Sequence, residues 1–478
     1  MLYTAVAVAF VAVFSLFFSN FSWLIVAIIS CLMFFGIVKF GTKYIAVFAL
    51  FLLFAVSLFC EYQKIDKVSE FDGKKISGKF VVLDTEQYEN FNKVTVKVAK
   101  SQELPKNIKC LIFDYTKLEV SSGDVLSACL KVSEIESDDE YRLYDYGNGI
   151  YATASVVSAE KSDEFYSFYK FCSNIRGFVK QKISSLYNGD TAGFLIALTT
   201  GDKSILSESF LDNVKTTGVS HVIVVSGLHL SIIMSGIFLL LDRLFYNKYI
   251  RSLLSVIIII LISGVCGFTL SVIRAGVMFV IASIAPLLSR ENDSLNSLFA
   301  TVALVLVFTP FAIVNVSFQL SFLSTIAIVW VVPFYTNICV EKFNISSKIL
   351  RTFLNIVFCS VFAMIFCLPV TIRIFGYASV VAPITNLLIT YPVTLALVFN
   401  VVALCFSVIP IFSILSYLLF GVASLCSRFT VFIVDKLSKL PVTVAILPDS
   451  AFIFTLLLIF VIIIFMYVFE FKTKKGKK

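Results

Sequence analysis

Both histidines of the chain, His221 and His229, fall within nine positions of each other in "GVSHVIVVSGLHLS" (218–231), beside Gly218, Ser220, Ser226 and Gly227. Three chemistries are open to such a cluster. Ser226 and His229 stand one helical turn apart, as a nucleophile and its base would. The stretch lacks the G-x-S-x-G elbow, however, and no carboxylate that could orient the imidazole is evident in the neighbouring apolar segments. The two imidazoles could instead hold a metal ion, but on one continuous helix positions i and i+8 lie about 80° apart and two turns up, too far to share it. The third chemistry is non-covalent. Imidazole and hydroxyl groups at a glycine-loosened helix start can donate to an anion, with Gly218 and Gly227 letting backbone approach closely.

Further polar residues stand in apolar surroundings, where each is costly unless it faces a partner or a wet path. Arg274 lies in "TLSVIRAGVMFVI", Gln319 and Ser321 in "SFQLSFLS", and Asn386 in "VAPITNLLITYPV" between Pro383 and Pro392. The two prolines predict a broken or re-entrant helix around Asn386. Packing alternatives stay open: a serine bonds its own helix carbonyl, and a single Gln or Asn joins helices. Arg274 is harder to place that way, because a buried guanidinium needs an anion, a carbonyl cage or water.

The elements that position these residues are mostly membrane helices. Of 478 residues 59% are hydrophobic and only 15% charged, and apolar runs long enough to cross a bilayer recur along the chain. The sequence therefore predicts a polytopic α-helical membrane protein of about twelve transmembrane helices. Three crossings are expected over 1–60, near 3–18, 22–38 and 44–60, the first a retained anchor and not a signal peptide. Nine follow, near 221–242, 250–268, 271–289, 297–309, 318–336, 351–374, 379–402, 405–433 and 451–470, making 221–478 the main transmembrane domain. Lysines in the Lys39–Lys43 loop and the basic ending "FKTKKGKK" place both termini in the cytoplasm, with Lys436 and Lys439 the dissenting charges outside.

Between these sets the pattern changes. Residues 61–164 alternate short β-patterned runs with Gly, Asn, Asp and Ser turns, which predicts a small exported all-β domain, a barrel of about five strands. Acidic residues outnumber basic ones there although the whole chain is +8. Cys110 and Cys129 fall in neighbouring strand-like runs, so a disulfide and a pair of buried thiols are both open. Residues 165–220 read as amphipathic helices at the membrane surface, interrupted by the "TTGDKSILS" turn with Gly201, Asp202 and Lys203. Cysteine and histidine spacings give no metal site, and no phosphate-binding G-x-x-x-x-G-K-[ST] motif or cofactor motif is present.

Taken together, "TTGDKS", "FLDNVKTTGVSHVIVVSGLHLSII" and the later "SVIRAGVM", "FQLSFLS" and "PITNLLITYPV" resemble, in order, the core of the ComEC-type competence proteins, DNA internalisation channels of the cytoplasmic membrane. "SSGDVLSACLKV" and "YDYGNGIYATASV" are similar to that family's exported region, which is OB-like. The resemblance implies passage of single-stranded DNA during natural transformation. Its path would be lined by Gly201, Asp202, Lys203, Gly218, Ser220, His221, Ser226, Gly227, His229, Arg274, Gln319, Ser321 and Asn386. It also implies a DNA-receptor protein and a cytosolic DNA-pulling ATPase as partners. Many such proteins continue into a metallo-β-lactamase-like domain. The chain carries no H-x-H-x-D-H sequence and ends at Lys478, so strand degradation is expected from a separate nuclease and the chain reads as a channel, not an enzyme. A transporter or flippase for a smaller anion and an intramembrane hydrolase built on Ser226 and His229 are the competing readings.

Overall fold

The computed structural model describes residues 45–475 apart from 88–90, 102–103, 106–107, 116–119, 136–144, 166, 290–292, 441–442, 447 and 449. The expected crossings at 3–18 and 22–38 and the Lys39–Lys43 loop lie outside the described residues. The chain forms two compact units, one of Met1–Phe178 with Gly236–Phe318, the other of Val179–Ser235 with Gln319–Lys478.

In the first unit, helix α1 (Ile45–Ser69) leads into strands β1 (Lys75–Gln87), β2 (Asn92–Ser101), β3 (Lys109–Asp114), β4 (Asp124–Ser133) and β5 (Ile150–Phe165). They close into a barrel of order β1-β2-β3-β5-β4, with β3 and β5 parallel and the other pairs antiparallel. This is the OB-like module expected over 61–164. The period-two pattern of "NKVTVKVAKS" sends Val94, Val96 and Val98 into the interior and Lys93, Thr95 and Lys97 outward.

The order of strands rules against the disulfide. Cys110 on β3 and Cys129 on β4 are free thiols, and β5 runs between their strands. Two strand spacings alone separate them by about 9.5 Å, and their partners on β5, Ala152 and Ser158, are offset along that strand, so no bridge can reach. Cys110 faces the interior and Cys129 the outer surface, and burial pushes the Cys110 thiol up to about 12.

Helix α2 (Ser167–Ser184) follows the barrel, and its first turns are clamped to it. Buried Asp124 accepts bonds from Lys161 and Lys170, each at 2.7 Å, and from Ser121. Four further bonds fasten the unit. Tyr151 donates to Glu61 at 2.6 Å, and Asn315 Nδ2 to Asn148 Oδ1 at 2.6 Å. Arg176 donates to the carbonyls of Gly264 and Val265, at 2.9 and 2.7 Å. Those carbonyls lie in the last turn of the helix Lys248–Val265, where the intrahelical ladder runs out.

The remaining helices are α3 (Gly189–Thr200), α4 (Glu208–Thr216), α5 (Ser220–Ile223), α6 (Gly227–Leu244), α7 (Lys248–Val265), α8 (Leu270–Ile284), α9 (Ser294–Phe308), α10 (Val316–Lys342, with a π-helical turn over Ala327–Val331), α11 (Lys348–Phe375), α12 (Ala382–Ser407), α13 (Ser413–Ser438) and α14 (Ser450–Lys475). Among the described residues eight helical stretches are long and apolar enough to cross a membrane, and α9 is a shorter apolar helix. These nine match the nine segments expected after 220. The protein is a polytopic α-helical membrane protein carrying an OB-like barrel.

Two expectations need correction. First, α3 is not a surface helix: eight of its residues are buried. Asn400 of α12 donates to the Leu195 carbonyl at 3.3 Å and Ser427 of α13 to the Thr191 carbonyl at 3.1 Å. Second, α12 is not broken by its prolines. Pro383 sits in the first turn, where its missing N–H costs nothing. Around Pro392, the Thr390 and Thr394 hydroxyls bond the Asn386 and Thr390 carbonyls within the same helix.

Candidate functional site

The signature at 218–231 is an interrupted helix. Helix α4 ends in a Schellman motif: the Val219 N–H reaches the Val214 carbonyl, and the Gly218 N–H reaches that of Lys215, both at 3.0 Å. Gly218 occupies the left-handed cap position at φ 72°. A Cβ there would also stand 2.7 Å from the Cβ atoms of both Ser379 and Ala382. Conformation and space both demand glycine. One turn of helix follows, Ser220–Ile223, until Val224 takes an extended conformation. Helix α6 then restarts at Gly227.

Ser226 and His229 bind each other across this restart. The Ser226 Oγ accepts the His229 backbone N–H at 3.3 Å, and the His229 Nδ1 accepts the Ser226 backbone N–H at 3.3 Å. This is a reciprocal capping box with imidazole in the position usually held by Glu or Gln. It differs from a nucleophile and its base, because neither bond joins the imidazole to the serine hydroxyl. The break also removes the continuous-helix geometry that kept the two imidazoles apart: His221 lies within electrostatic reach of His229. His221 is exposed and His229 is 2% exposed. Among the described residues no group of three His, Cys, Asp or Glu side chains could hold a metal ion.

The "TGDKS" turn has a different character. Gly201 caps α3 in the left-handed region at φ 81°. Asp202 accepts the Ser204 N–H at 2.8 Å and the Lys180 ammonium at 3.1 Å, and Lys180 also reaches the Ser204 hydroxyl at 2.7 Å. Burial alone would raise the Asp202 carboxyl, but the bonds from Ser204 and Lys180 outweigh it and hold it below its usual range. The carboxylate fastens α2 to the end of α3, while Lys203 is exposed.

The structure thus brings together Gly218, Ser220, His221, Ser226, Gly227 and His229. Asn386 is half-buried one turn beyond Ala382, the residue packed against Gly218, on the same face of α12. Gln319 and Ser321 are half-buried in the first turns of α10. Arg274 belongs to the other unit, 5% exposed on α8, with Nη1 3.6 Å from Met278 Sδ. Sequence reasoning missed Ser379 and Ala382, whose partner Gly218 lies far away along the chain.

A second surface lies on the barrel. The outer face of β2 and β3 carries Lys93 opposite Phe113 and Lys97 opposite Lys109. Phe91 packs at 5.9 Å from Phe113 and 5.8 Å from Tyr115, the latter 71% exposed. A cluster of rings beside paired lysines stands on the face that OB folds use for oligonucleotides.

Residues 198–472, more than half of the chain, match the competence protein family. The chain belongs to that family. Its signature helix break, the α10 start and the Asn386 region all fall inside the matched segment. The chain is also 28% identical over 183 residues to ComE operon protein 3 of Bacillus subtilis (strain 168), a match covering 38% of this chain and 24% of that protein. The match thus spans about a quarter of the relative's length. No solved structure matches the chain.

Proposed function

We propose that this competence-family protein passes single-stranded DNA across the cytoplasmic membrane. The observation that carries the reading is the interrupted helix inside the family segment. A helix that restarts within an apolar bundle turns its free N–H groups and positive dipole end toward whatever lies at the break. An anionic strand moving through needs such neutral donors in number and no deep cationic well. The lysine and aromatic face of the barrel supports a nucleic-acid cargo over a small anion, since stacked rings recognise bases. Within this reading His221, Ser226, His229, Gln319, Ser321 and Asn386 line or shape the path. The barrel lies outside and both termini inside. A receptor, a separate nuclease and a cytosolic ATPase act as partners.

Entry of labelled DNA into a nuclease-protected cytosolic pool tests this. Cells carrying the wild type, a deletion and the His221→Ala/His229→Ala double variant are compared at equal membrane levels. Entry lost in the deletion and the double variant is the expected result. Entry unaffected by the deletion would sink the DNA reading and favour a smaller anionic cargo.

A further inference from the structure

The ring of His229 is buried, yet only half of its hydrogen-bonding capacity is used. Nδ1 is committed as the acceptor of the Ser226 N–H. An imidazole nitrogen that accepts a backbone N–H cannot also carry a proton, so a neutral ring must bear its hydrogen on Nε2. A doubly protonated ring would set an N–H against the Ser226 N–H and break the cap. Among the described residues Nε2 has no hydrogen-bond partner. It is not sealed off either, since among the described residues the buried side-chain atoms without a partner are Thr85 Oγ1, Ser360 Oγ, Ser379 Oγ and Asn400 Oδ1. A side chain 2% exposed thus keeps one donor open at a helix N-terminus that begins with Gly227.

We propose that His229 locks the start of α6 through Nδ1 and, as the Nε2–H tautomer, offers a neutral donor to a phosphodiester oxygen of the passing strand. It is a positioning residue and a ligand contact at once. A neutral donor releases each phosphate as readily as it takes it, which a fixed cation at the same place would not. The proposal rests on the DNA reading above and specifies what one family-signature side chain does within it.

Two substitutions separate the roles. His229→Gln keeps a capping acceptor and a donor, while His229→Glu keeps the cap and replaces the donor by a negative acceptor. DNA entry close to wild type in the Gln variant, and about tenfold or more lower in the Glu variant at equal membrane level, is expected for a lost donor to a charged group. Equal entry in both would reduce His229 to a cap and overturn the donor role. Loss in both would overturn it too, because an amide donor should substitute. If the deletion itself leaves entry unchanged, the DNA reading fails instead.

A second measurement reads the wild-type His229 ring directly. The chain has only two histidines, so ¹⁵N-histidine labelling of the purified full chain in detergent yields two rings, assigned with His221→Gln. The His229 ring is expected as the Nε2–H tautomer, with its Nε2–H resonance shifting on addition of a single-stranded oligonucleotide. An Nδ1–H tautomer, or a ring indifferent to the oligonucleotide, would overturn the proposal.

Discussion

At the scale of single residues, the side chains with the most chemical promise do structural work first. Ser226 and His229 were legible in the sequence as a pair, and their spacing fits a nucleophile and base as well as a capping box. What separates the two is the chain break after Ile223, which depends on Gly218 being pressed against Ser379 and Ala382. Nothing local to "GVSHVIVVSGLHLS" encodes that contact. Gly218→Ala adds a methyl group in a left-handed position against two fixed Cβ atoms, so a loss of about 3 kcal/mol is expected. Thermal unfolding of the purified chain would show it, and DNA entry should fall with the misplaced α6 start. Asp124 offers a second case. Burial would raise its carboxyl, but Lys161, Lys170 and Ser121 outweigh that and hold it below the usual range. The clamp is therefore complete above the unfolded carboxylate value of about 4 and is lost as pH falls toward the lower folded value. Asp124→Asn should cost about 2 kcal/mol at neutral pH. The wild-type melting temperature should also drop more steeply than the variant's on acidification below about pH 4.

At the scale of elements, hydropathy located every long apolar helix described after residue 220, because a bilayer-spanning helix needs a long apolar run whatever its neighbours are. Period-two alternation gave the barrel for the same kind of reason: one face of each strand must fill the interior. Helix α3 departs from the surface helices expected over 165–220 because polar neighbours flank an apolar core segment. Its own sequence, "GDTAGFLIALTT", is twelve residues of mostly apolar character, too short to span and of the length typical of a buried core helix. Its burial is specific. A Cβ on Gly193 would stand 2.9 Å from the Leu206 side chain and 3.1 Å from the Leu206 backbone nitrogen. Gly193→Val should therefore destabilise by about 1–3 kcal/mol through overpacking. Asn400→Leu should do little harm by comparison. It removes a 3.3 Å bond to a helix carbonyl together with an Oδ1 that has no partner among the described residues, and an apolar side chain of similar volume fills the space. Protease resistance of the two variants in detergent ranks them, and a Leu variant as fragile as the Val variant would show that Asn400 holds α3 in place.

At the scale of the whole molecule, the open point is which side of the membrane each end occupies, and α9 decides it. Fifteen residues of helix measure about 22 Å, less than a bilayer core of about 30 Å. If α9 fails to cross, the barrel and the C-terminus share a side; if it crosses, they are opposed. Contacts within the first unit bear on this. Arg176, just past the barrel, holds the carbonyls of Gly264 and Val265 at the end of α7. Asn148, just before β5, is held by Asn315, beyond the end of α9. Residues flanking β5 thus touch the chain both before α8 and after α9. With α8 and its 3₁₀ extension long enough to cross, the sidedness proposed above requires α9 to return. Its short length is tolerable because eight of its residues are buried in protein and need not match lipid. Of the two dissenting lysines, Lys439 is paired with Asp435 at 2.8 Å. With an exported barrel, as proposed above, nine crossings would leave the C-terminus inside. Tyr115→Cys, on the exposed barrel face, should react with a membrane-impermeant thiol reagent in intact cells. Lys475→Cys should react only after the cells are opened. Labelling of both from outside would make α9 a re-entrant helix and reverse every loop that follows it.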